Sequence, residues 1–308
     1  MFDFTIKYKH NKLTKLWFPT PDYKCSYILS DIRFNFAKAG TISSQEIMRH
    51  RTFLNIAYVA GAFILLFIAA PIIGIFIKTS PQQVFEAAGD KVVIESILLS
   101  LGTSLSATII FSVLSLPLAW LLARKKFVLK RFILGLIDLP IVIPHTAAGI
   151  ALLGLVSRNS EIGKIASLIG LDFVSHPAGI IIAMAFVSLP FFINAAREGF
   201  NQVPERLEKA ALNLGVNPFR VFYTISIPLA MRHIITGAVM MFARGISEFG
   251  AVVIIAYYPL TASVMIFERF NSFGLQYARP AAVLLILITI SLFLIMRLFT
   301  KDPENARY

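Results

Sequence analysis

The chain has 308 residues, of which 57% are hydrophobic and 15% are charged, and its mean hydropathy is +0.74. These values exclude a soluble globular protein and are typical of a chain that crosses a membrane several times. The net charge of +12 therefore bears on membrane topology before it bears on nucleic-acid binding. The single cysteine, Cys25, has no partner for an internal disulfide, and no signal-peptide pattern is present near the N-terminus.

Six apolar stretches are long enough to cross the ~30 Å hydrocarbon core of a bilayer. They predict an all-α, polytopic membrane protein with about six transmembrane helices, at 53–77, 92–122, 132–156, 177–196, 229–257 and 280–299. The predicted organisation is a tail at 1–52, a transmembrane domain at 53–299 and a second tail at 300–308. The segments 78–91, 157–176 and 258–279 are predicted to be loops, the last of them partly apolar.

The N-terminal tail, residues 1–52, carries nine Lys and Arg residues against four Asp and Glu. One interpretation is a cytoplasmic tail that lies on anionic lipid through its lysines and Trp17. The alternative is that Met48 is the true start, because the residues after it form a natural basic flank for the first span.

Six crossings place both termini on one side, and the distribution of positive charge predicts which side that is. Of the 29 Lys and Arg residues, 22 lie in the two tails, the 123–131 link and the region around 204–228. Six lie in the opposite loops, and one, Arg244, lies inside a predicted span. Both termini and the segment 204–228 are therefore predicted to be cytoplasmic.

Residues 204–228, between the fourth and fifth spans, form a polar insert that we call the docking element. Helical spacing puts four of its residues on one face, namely Leu207, Ala210, Ala211 and Leu214. The charged residues Glu205, Arg206, Glu208 and Lys209 are predicted to occupy the other face. Two short helices outside the membrane, joined at a glycine, are typical of a surface that docks onto a partner.

The ends of these two short helices are marked by proline, glycine and asparagine. Pro204 suits the first position of the first helix, where no amide donor is needed. Gly215 stands where a left-handed residue would end that helix. Asn217 and Pro218 predict an N-cap followed by the start of a second helix.

The docking element resembles the EAA loop of ABC-importer permeases. The family pattern is E-A-A, three residues, G, nine residues, I-x-L-P, and here Ala210, Ala211, Gly215 and Pro228 match it. Lys209 stands in place of the Glu, with Glu208 one position earlier, and Ile replaces Leu before the proline. The resemblance implies cytoplasmic coupling helices that contact an ATPase subunit through Glu208, Lys209, Ala210, Ala211, Gly215 and Pro228.

The chain carries no Gly-x4-Gly-Lys-Ser/Thr phosphate loop and no metal-ligand spacing of His or Cys. We therefore predict no enzymatic activity and no cofactor in this chain. The resemblance implies that ATP and magnesium are bound by a separate ATP-binding-cassette subunit.

Four ionisable side chains lie inside the predicted spans: Asp138, His145, Arg244 and Glu248. Such groups are costly in hydrocarbon unless they face a partner or a water-filled cavity. Arg244 and Glu248 lie four residues apart on one helical face, so they form either a structural ion pair or part of a translocation path. His145 is either a hydrogen-bonded core residue or a third member of that path, and Asp138 is interpreted as an interfacial anchor.

Two further segments resemble one particular group of importer permeases. PIVIPHTAAGIALLG at 140–154 and ARGISEFGAVVIIAYYP at 243–259 look like segments of molybdate/tungstate importer permeases. His145 occupies a place where that family often has a second proline. Sulfate permeases share a pattern related to the sequence SEFG at 247–250.

This resemblance implies a homodimeric permease subunit in the plasma membrane, in contact with lipid and without nucleic acid. It implies an ATPase subunit below each permease copy and an extracytoplasmic oxyanion-binding protein outside. Molybdate, tungstate and sulfate remain alternative substrates. An ATP-independent secondary transporter would show inverted repeats, and a receptor or scaffold would show a soluble output domain; neither is visible in the sequence.

Overall fold

The computed structural model describes residues 44–298, and every regular element in that range is helical. The predicted all-α class is confirmed. In chain order the elements are α1 (Ser44–Ile77), α2 (Pro81–Gly89), α3 (Lys91–Arg124), α4 (Lys130–Val142), α5 (His145–Val156), α6 (Glu161–Leu168), α7 (Pro177–Gln202), α8 (Glu205–Asn213), α9 (Pro218–Val221), the π-helix π1 (Phe222–Ser226), α10 (Ile227–Ile246), α11 (Gly250–Ile255), α12 (Ala262–Phe273) and α13 (Leu275–Leu298).

The chain divides into two units, residues 1–71 and residues 72–308. The described part of the first unit, from residue 44 onward, is helical throughout. From Arg51 to Ile77 helix α1 is apolar on all sides, as expected of a helix that is surrounded by lipid. The tail interpretations for 1–52 lie mostly outside the described residues, as does the C-terminal tail.

Within the range 44–298, five helical stretches are long and apolar enough to cross a membrane: Arg51–Ile77, Lys91–Arg124, Pro177–Gln202, Pro218–Ile246 and Leu275–Met296. A sixth crossing is obtained if the bent pair α4 and α5 counts as one span. The prediction of about six transmembrane helices agrees with this count.

The third predicted span, 132–156, is not one straight helix. Helices α4 and α5 are bent by 113° at a short break. Ile143 has an extended backbone, with ψ of 145°, because the Pro144 ring disfavours helical geometry in the residue before it. The break makes His145 the first residue of α5 rather than a residue in the middle of a span.

The fifth predicted span, 229–257, also differs from the structure. Its long helix ends at Ile246, and the short helix α11 begins only at Gly250. The predicted loops contain helices of their own, namely α2, α6 and α12, and the last long helix begins at Leu275 rather than at 280. These helices have only eight to twelve residues and are amphipathic, so they do not form long apolar stretches in the sequence.

Helix α7 is the centre of the second unit and packs along α3 and α10. Its fully buried side chains include Ile180, Met184, Phe192 and Phe200. Small and hydroxylated residues line the neighbouring face of α3, where Ser104 donates a hydrogen bond of 2.8 Å to the Phe242 carbonyl oxygen of α10. Small residues let helices approach closely in a membrane, so α3, α7 and α10 form one packed layer.

Candidate functional site

The docking element folds as two short helices, α8 and α9, followed by the π-helix π1. Helix α8 begins at Glu205 with Pro204 as its N-cap, one residue later than predicted. Asn217 caps α9 as predicted, because its Oδ1 accepts a hydrogen bond of 2.9 Å from the Phe219 amide. Pro228 lies in the first turn of α10. The segment 204–228 therefore leads directly from one long helix, α7, into another, α10.

Gly215 forms the elbow between α8 and α9. Its φ is +79°, the left-handed region that glycine adopts without strain. The Gly215 amide donates to the Leu212 carbonyl oxygen at 2.9 Å, and the Val216 amide donates to the Ala211 carbonyl oxygen at 3.1 Å. These bonds satisfy carbonyls at the end of α8, which confirms the predicted helix stop.

The apolar face of α8 points away from the core. Leu207 is 42% exposed and Leu214 is 84% exposed, and Ala210 is also exposed. Phe219 and Tyr223 extend this surface across α9 and π1, with their ring centroids 4.7 Å apart. An apolar surface on a polar loop is typical of a site that a partner covers.

The position of Glu208 in the structure differs from the predicted arrangement of α8. The sequence predicts Glu208 on the charged face with Glu205, Arg206 and Lys209, but Glu208 is the buried residue of that helix. Its carboxylate receives two hydrogen bonds from Arg124, from Nε to Oε2 at 2.8 Å and from Nη2 to Oε1 at 2.9 Å. Ser226 Oγ donates to Oε1 at 2.6 Å. Glu208 turns inward because its bidentate partner lies at the end of α3.

Burial would raise the pKa of the Glu208 carboxyl. The hydrogen bonds from Arg124 and Ser226 and the positive charge of Arg124 outweigh burial and hold the pKa below its ordinary value. Glu208 is therefore a carboxylate at neutral pH. Sequence reasoning missed the roles of Arg124 and Ser226, and treated Arg124 only as one positive charge among those that set topology.

His145, Arg244 and Glu248 come together where two helices are interrupted; we call them the ionic cluster. His145 begins α5 after its break, and Glu248 lies between the end of α10 and the start of α11. Glu248 Oε2 lies 3.0 Å from His145 Nδ1 and 3.1 Å from Arg244 Nη2. Arg244 Nη2 also lies 2.9 Å from His145 Nδ1. The predicted proximity of Arg244 and Glu248 is confirmed, and His145 joins them.

The three members of the ionic cluster differ in exposure. The Glu248 side chain is fully buried, whereas those of Arg244 and His145 are 25% and 32% exposed. Glu248 Oε1 accepts a hydrogen bond of 3.0 Å from the Ala251 amide at the start of α11. The cluster therefore presents two nitrogen-bearing side chains outward over one buried carboxylate.

Glycines allow α5 and α11 to cross in direct contact at the ionic cluster. A Cβ atom on Gly149 would lie 2.9 Å from the Ala251 Cα atom, and one on Gly250 would lie 2.8 Å from the His145 Cβ atom. Such distances leave no room for a side chain. The two interrupted helices thus hold the ionic cluster at a tightly packed crossing.

Asp138 is separate from this group. Its Oδ1 accepts a hydrogen bond of 2.7 Å from Asn194 Nδ2 of α7. The sequence indicated an interfacial anchor beside basic residues, and the structure adds a polar partner inside the helix layer. Asp138 therefore joins α4 to α7.

The chain is similar in sequence to known transport proteins. A family model described as the binding-protein-dependent transport system inner membrane component matches residues 115–303. The molybdate/tungstate transport system permease protein WtpB of Pyrococcus furiosus is 41% identical over 262 residues, 84% of this chain and 100% of that protein. The probable sulfate transport system permease protein cysT of Zygnema circumcarinatum is 30% identical over 263 residues, 83% of this chain and 91% of that protein.

The fold is similar to one in the crystal structure of a bacterial alginate ABC transporter in complex with an alginate pentasaccharide-bound periplasmic protein. The TM-score is 0.64 at 16% identity, and the match covers 83% of this chain and 94% of that chain. At this identity the likeness concerns the fold. The family model covers more than half of the chain, and the Pyrococcus furiosus relative is matched along its whole length. This chain therefore belongs to the family of inner membrane components of binding-protein-dependent transport systems.

Proposed function

We propose that this chain is the permease subunit of an ABC importer that carries molybdate or tungstate across the plasma membrane. The observation that carries the proposal is the similarity to the molybdate/tungstate permease WtpB, which extends over the whole length of that relative. The identity to WtpB is 41%, whereas the identity to the sulfate permease is 30%. The segments around 140–154 and 243–259, which contain the ionic cluster, support the same substrate class.

The energy for transport comes from a separate ATPase subunit in this proposal. The exposed apolar surface formed by Leu207, Ala210, Leu214 and Phe219 supports a docking role, because it lies on a polar loop between two long helices. ATP and magnesium are bound by that partner, and this chain is not itself an enzyme. Glu208, Lys209, Ala211, Gly215 and Pro228 belong to the same coupling loop.

The remaining partners are a second copy of this chain and an extracytoplasmic oxyanion-binding protein. Two copies related by a two-fold axis would enclose a central path that one copy cannot easily enclose alone. The positive-charge distribution supports cytoplasmic termini and a cytoplasmic docking element. Lipid covers the apolar outer surface of the spans.

The ionic cluster is the candidate part of the translocation path. Arg244 and His145 are partly exposed, so an oxyanion that reaches them meets positive charge and hydrogen-bond donors. Glu248 lies behind them and offsets part of this attraction, which lets the anion leave again. In the alternative interpretation Arg244 and Glu248 form a structural ion pair that holds two helices together, and His145 is a hydrogen-bonded core residue.

Uptake into sealed vesicles tests the proposed function. Vesicles that contain the permease and its ATPase, with the binding protein outside, should accumulate radiolabelled molybdate and tungstate only when ATP is supplied inside. Excess sulfate should compete poorly. Preferred uptake of sulfate would favour the second candidate, a sulfate importer, which the similarity to cysT supports. Uptake without ATP would favour a secondary transporter.

A further inference from the structure

A buried ion pair fastens the docking element to a transmembrane helix. The Arg124 and Glu208 side chains are 7% and 9% exposed, and they meet through two hydrogen bonds of 2.8 and 2.9 Å. The two residues are 84 positions apart in the chain. Arg124 is the last residue of α3, and Glu208 lies in the middle of α8. Parallel hydrogen bonds of this kind fix orientation as well as distance, because the guanidinium is planar.

Neighbouring residues complete this contact. Arg124 Nη2 donates to the Val203 carbonyl oxygen at the end of α7 at 3.0 Å. Trp120 Nε1, one turn before Arg124, approaches Glu208 Oε1 at 3.4 Å. Ser226 of π1 uses the same oxygen. The carboxylate thereby joins α3, α8 and π1, and Arg124 adds the end of α7.

Little else holds α8 in place. Glu208 is its buried residue, and its other residues are exposed or half-buried. An inward-facing carboxylate is also unavailable to a partner that covers the outer face. The observed bonding of Glu208 therefore fits an internal fastening better than a contact with a partner.

Helix α3 leads from this fastening to the ionic cluster. Ser104 of α3 donates to the Phe242 carbonyl oxygen, two residues before Arg244. A Cβ atom on Gly245 would lie 2.5 Å from Ser104 Oγ, so α3 and α10 are in direct contact there. These contacts offer a route by which a displacement of the Arg124 end of α3 could reach the turn that carries Arg244.

We propose that Arg124 and Glu208 are positioning residues that make the docking element and the end of α3 move as one body during transport. The inference rests on the proposed function, because it assumes an ATPase that moves the docking element. The ion pair stays closed throughout the cycle, and the ATPase contacts the opposite, apolar face of α8. Loss of the pair uncouples hydrolysis from uptake without releasing the ATPase.

The first test compares two conservative variants. Glu208→Gln keeps the shape of the side chain and removes its charge, and we expect oxyanion uptake per ATP hydrolysed to fall at least about tenfold by the scale of a lost buried contact. Co-purification of the ATPase should stay unchanged. Asp172→Asn is the matched control, because Arg158 and Asp172 form an exposed bidentate pair outside the docking element. An unchanged ratio of uptake to hydrolysis in Glu208→Gln, or loss of ATPase binding, would overturn the proposal.

The second test replaces the ion pair with a covalent link. In a Cys25→Ser background, Arg124→Cys with Glu208→Cys should be poorly coupled, and a short bifunctional thiol reagent that spans the two positions should restore uptake. A linked protein that binds and hydrolyses ATP but cannot transport would mean that the pair opens during the cycle. That result would overturn the proposal.

The third test does not depend on transport. Amide hydrogen exchange of residues 205–213 should rise at least about tenfold in Glu208→Gln and stay unchanged in Asp172→Asn, because a fastened helix opens less often. Equal exchange in both variants would overturn the proposal. If the unmodified protein imports no oxyanion, the proposed function is wrong, and the exchange measurement alone decides whether the fastening exists.

Discussion

A Cβ atom placed on Gly250 would lie 2.8 Å from the Cβ atom of His145, closer than two side chains approach in a folded protein. We predict that Gly250→Ala lowers the free energy of unfolding by about 1–3 kcal/mol, the usual effect of overpacking. Thermal unfolding in detergent measures the change. Gly102→Ala is the control, because apart from its own stretch of helix nothing lies within 4 Å of the added carbon. Equal melting temperatures for the two variants would contradict the close crossing.

The ionic cluster predicts different effects for its two charged residues. If Arg244 attracts the anion, Arg244→Gln should abolish uptake while the complex stays folded and hydrolyses ATP. Glu248→Gln should instead slow release of the anion, because it removes the opposing negative charge. Uptake and thermal unfolding are measured together on each variant.

A purely structural ion pair predicts another pattern. Arg244→Ala should then cost about 3–5 kcal/mol, because it removes a partner of the fully buried Glu248 carboxylate. Glu248→Ala should also destabilise the protein, but less, because the Arg244 side chain that it leaves behind is 25% exposed. The double variant should be milder than the sum of the two. Parallel loss of stability and transport in the single variants, with recovery in the double, would exclude the path interpretation.

A charge introduced on the apolar surface of the docking element should weaken binding of the ATPase. Ala210 is exposed on the apolar face of α8, so Ala210→Asp should fold normally and weaken ATPase association, because the new carboxylate would be buried in the interface. Ala210→Ser is the control of similar size. Co-purification of the ATPase measures binding, and unchanged binding in Ala210→Asp would show that this face is not covered by the partner.

Substitution of Gly215 should act through the backbone conformation of the elbow rather than through a new charge. A valine at φ of +79° costs about 1–3 kcal/mol of strain, although nothing lies within 4 Å of its Cβ position. Gly215→Val should therefore change the angle between α8 and α9 and uncouple ATP hydrolysis from uptake. Gly215→Asn, which tolerates the left-handed region, should retain most of the activity.

Acid should open the Arg124–Glu208 contact. The pKa of Glu208 is lowered in the folded protein, so its contribution to stability is fully present above the ordinary carboxyl pKa and is lost as the pH falls through the lowered value. The hydrogen bond from Arg269 also lowers the pKa of Asp90, so the contribution of Asp90 to stability is lost over the same direction of pH change. Melting temperatures against pH should therefore fall less steeply in Glu208→Gln than in the unmodified protein; identical slopes would contradict the assignment.

Apolar stretches alone predicted the long helices, because a membrane span is defined by length and hydrophobicity rather than by contacts. The break before His145 had a local signal in Pro144, but the bend of 113° did not follow from it. The helix stop at Gly215 and the cap at Asn217 followed from backbone preferences. Features that one segment determines were therefore predictable.

The inward turn of Glu208 was not predictable, because it depends on a residue 84 positions away. A charged residue in a helix rich in charged residues fits an exposed face, and nothing in the local pattern shows that Glu208, unlike Glu205, turns inward. The pairing of Arg244 with Glu248 was predictable from their spacing of four residues. The sequence left His145 either as a core residue or as a member of the path, and its contact with Glu248 depends on the crossing of α5 and α11, which only the three-dimensional structure supplies.

The π-helix Phe222–Ser226 sets the angular relation between the docking surface and Arg244. A π-turn holds one residue more than an α-turn, and each residue of an α-helix corresponds to about 100° of rotation and about 1.5 Å of advance. Deleting one residue within 222–226 would convert the π-turn into a regular α-helical turn, and the helix would remain continuous. The exposed apolar surface of the docking element would then point to a different side of the molecule, so a deletion that most loops absorb would turn the proposed ATPase-binding face away from its partner.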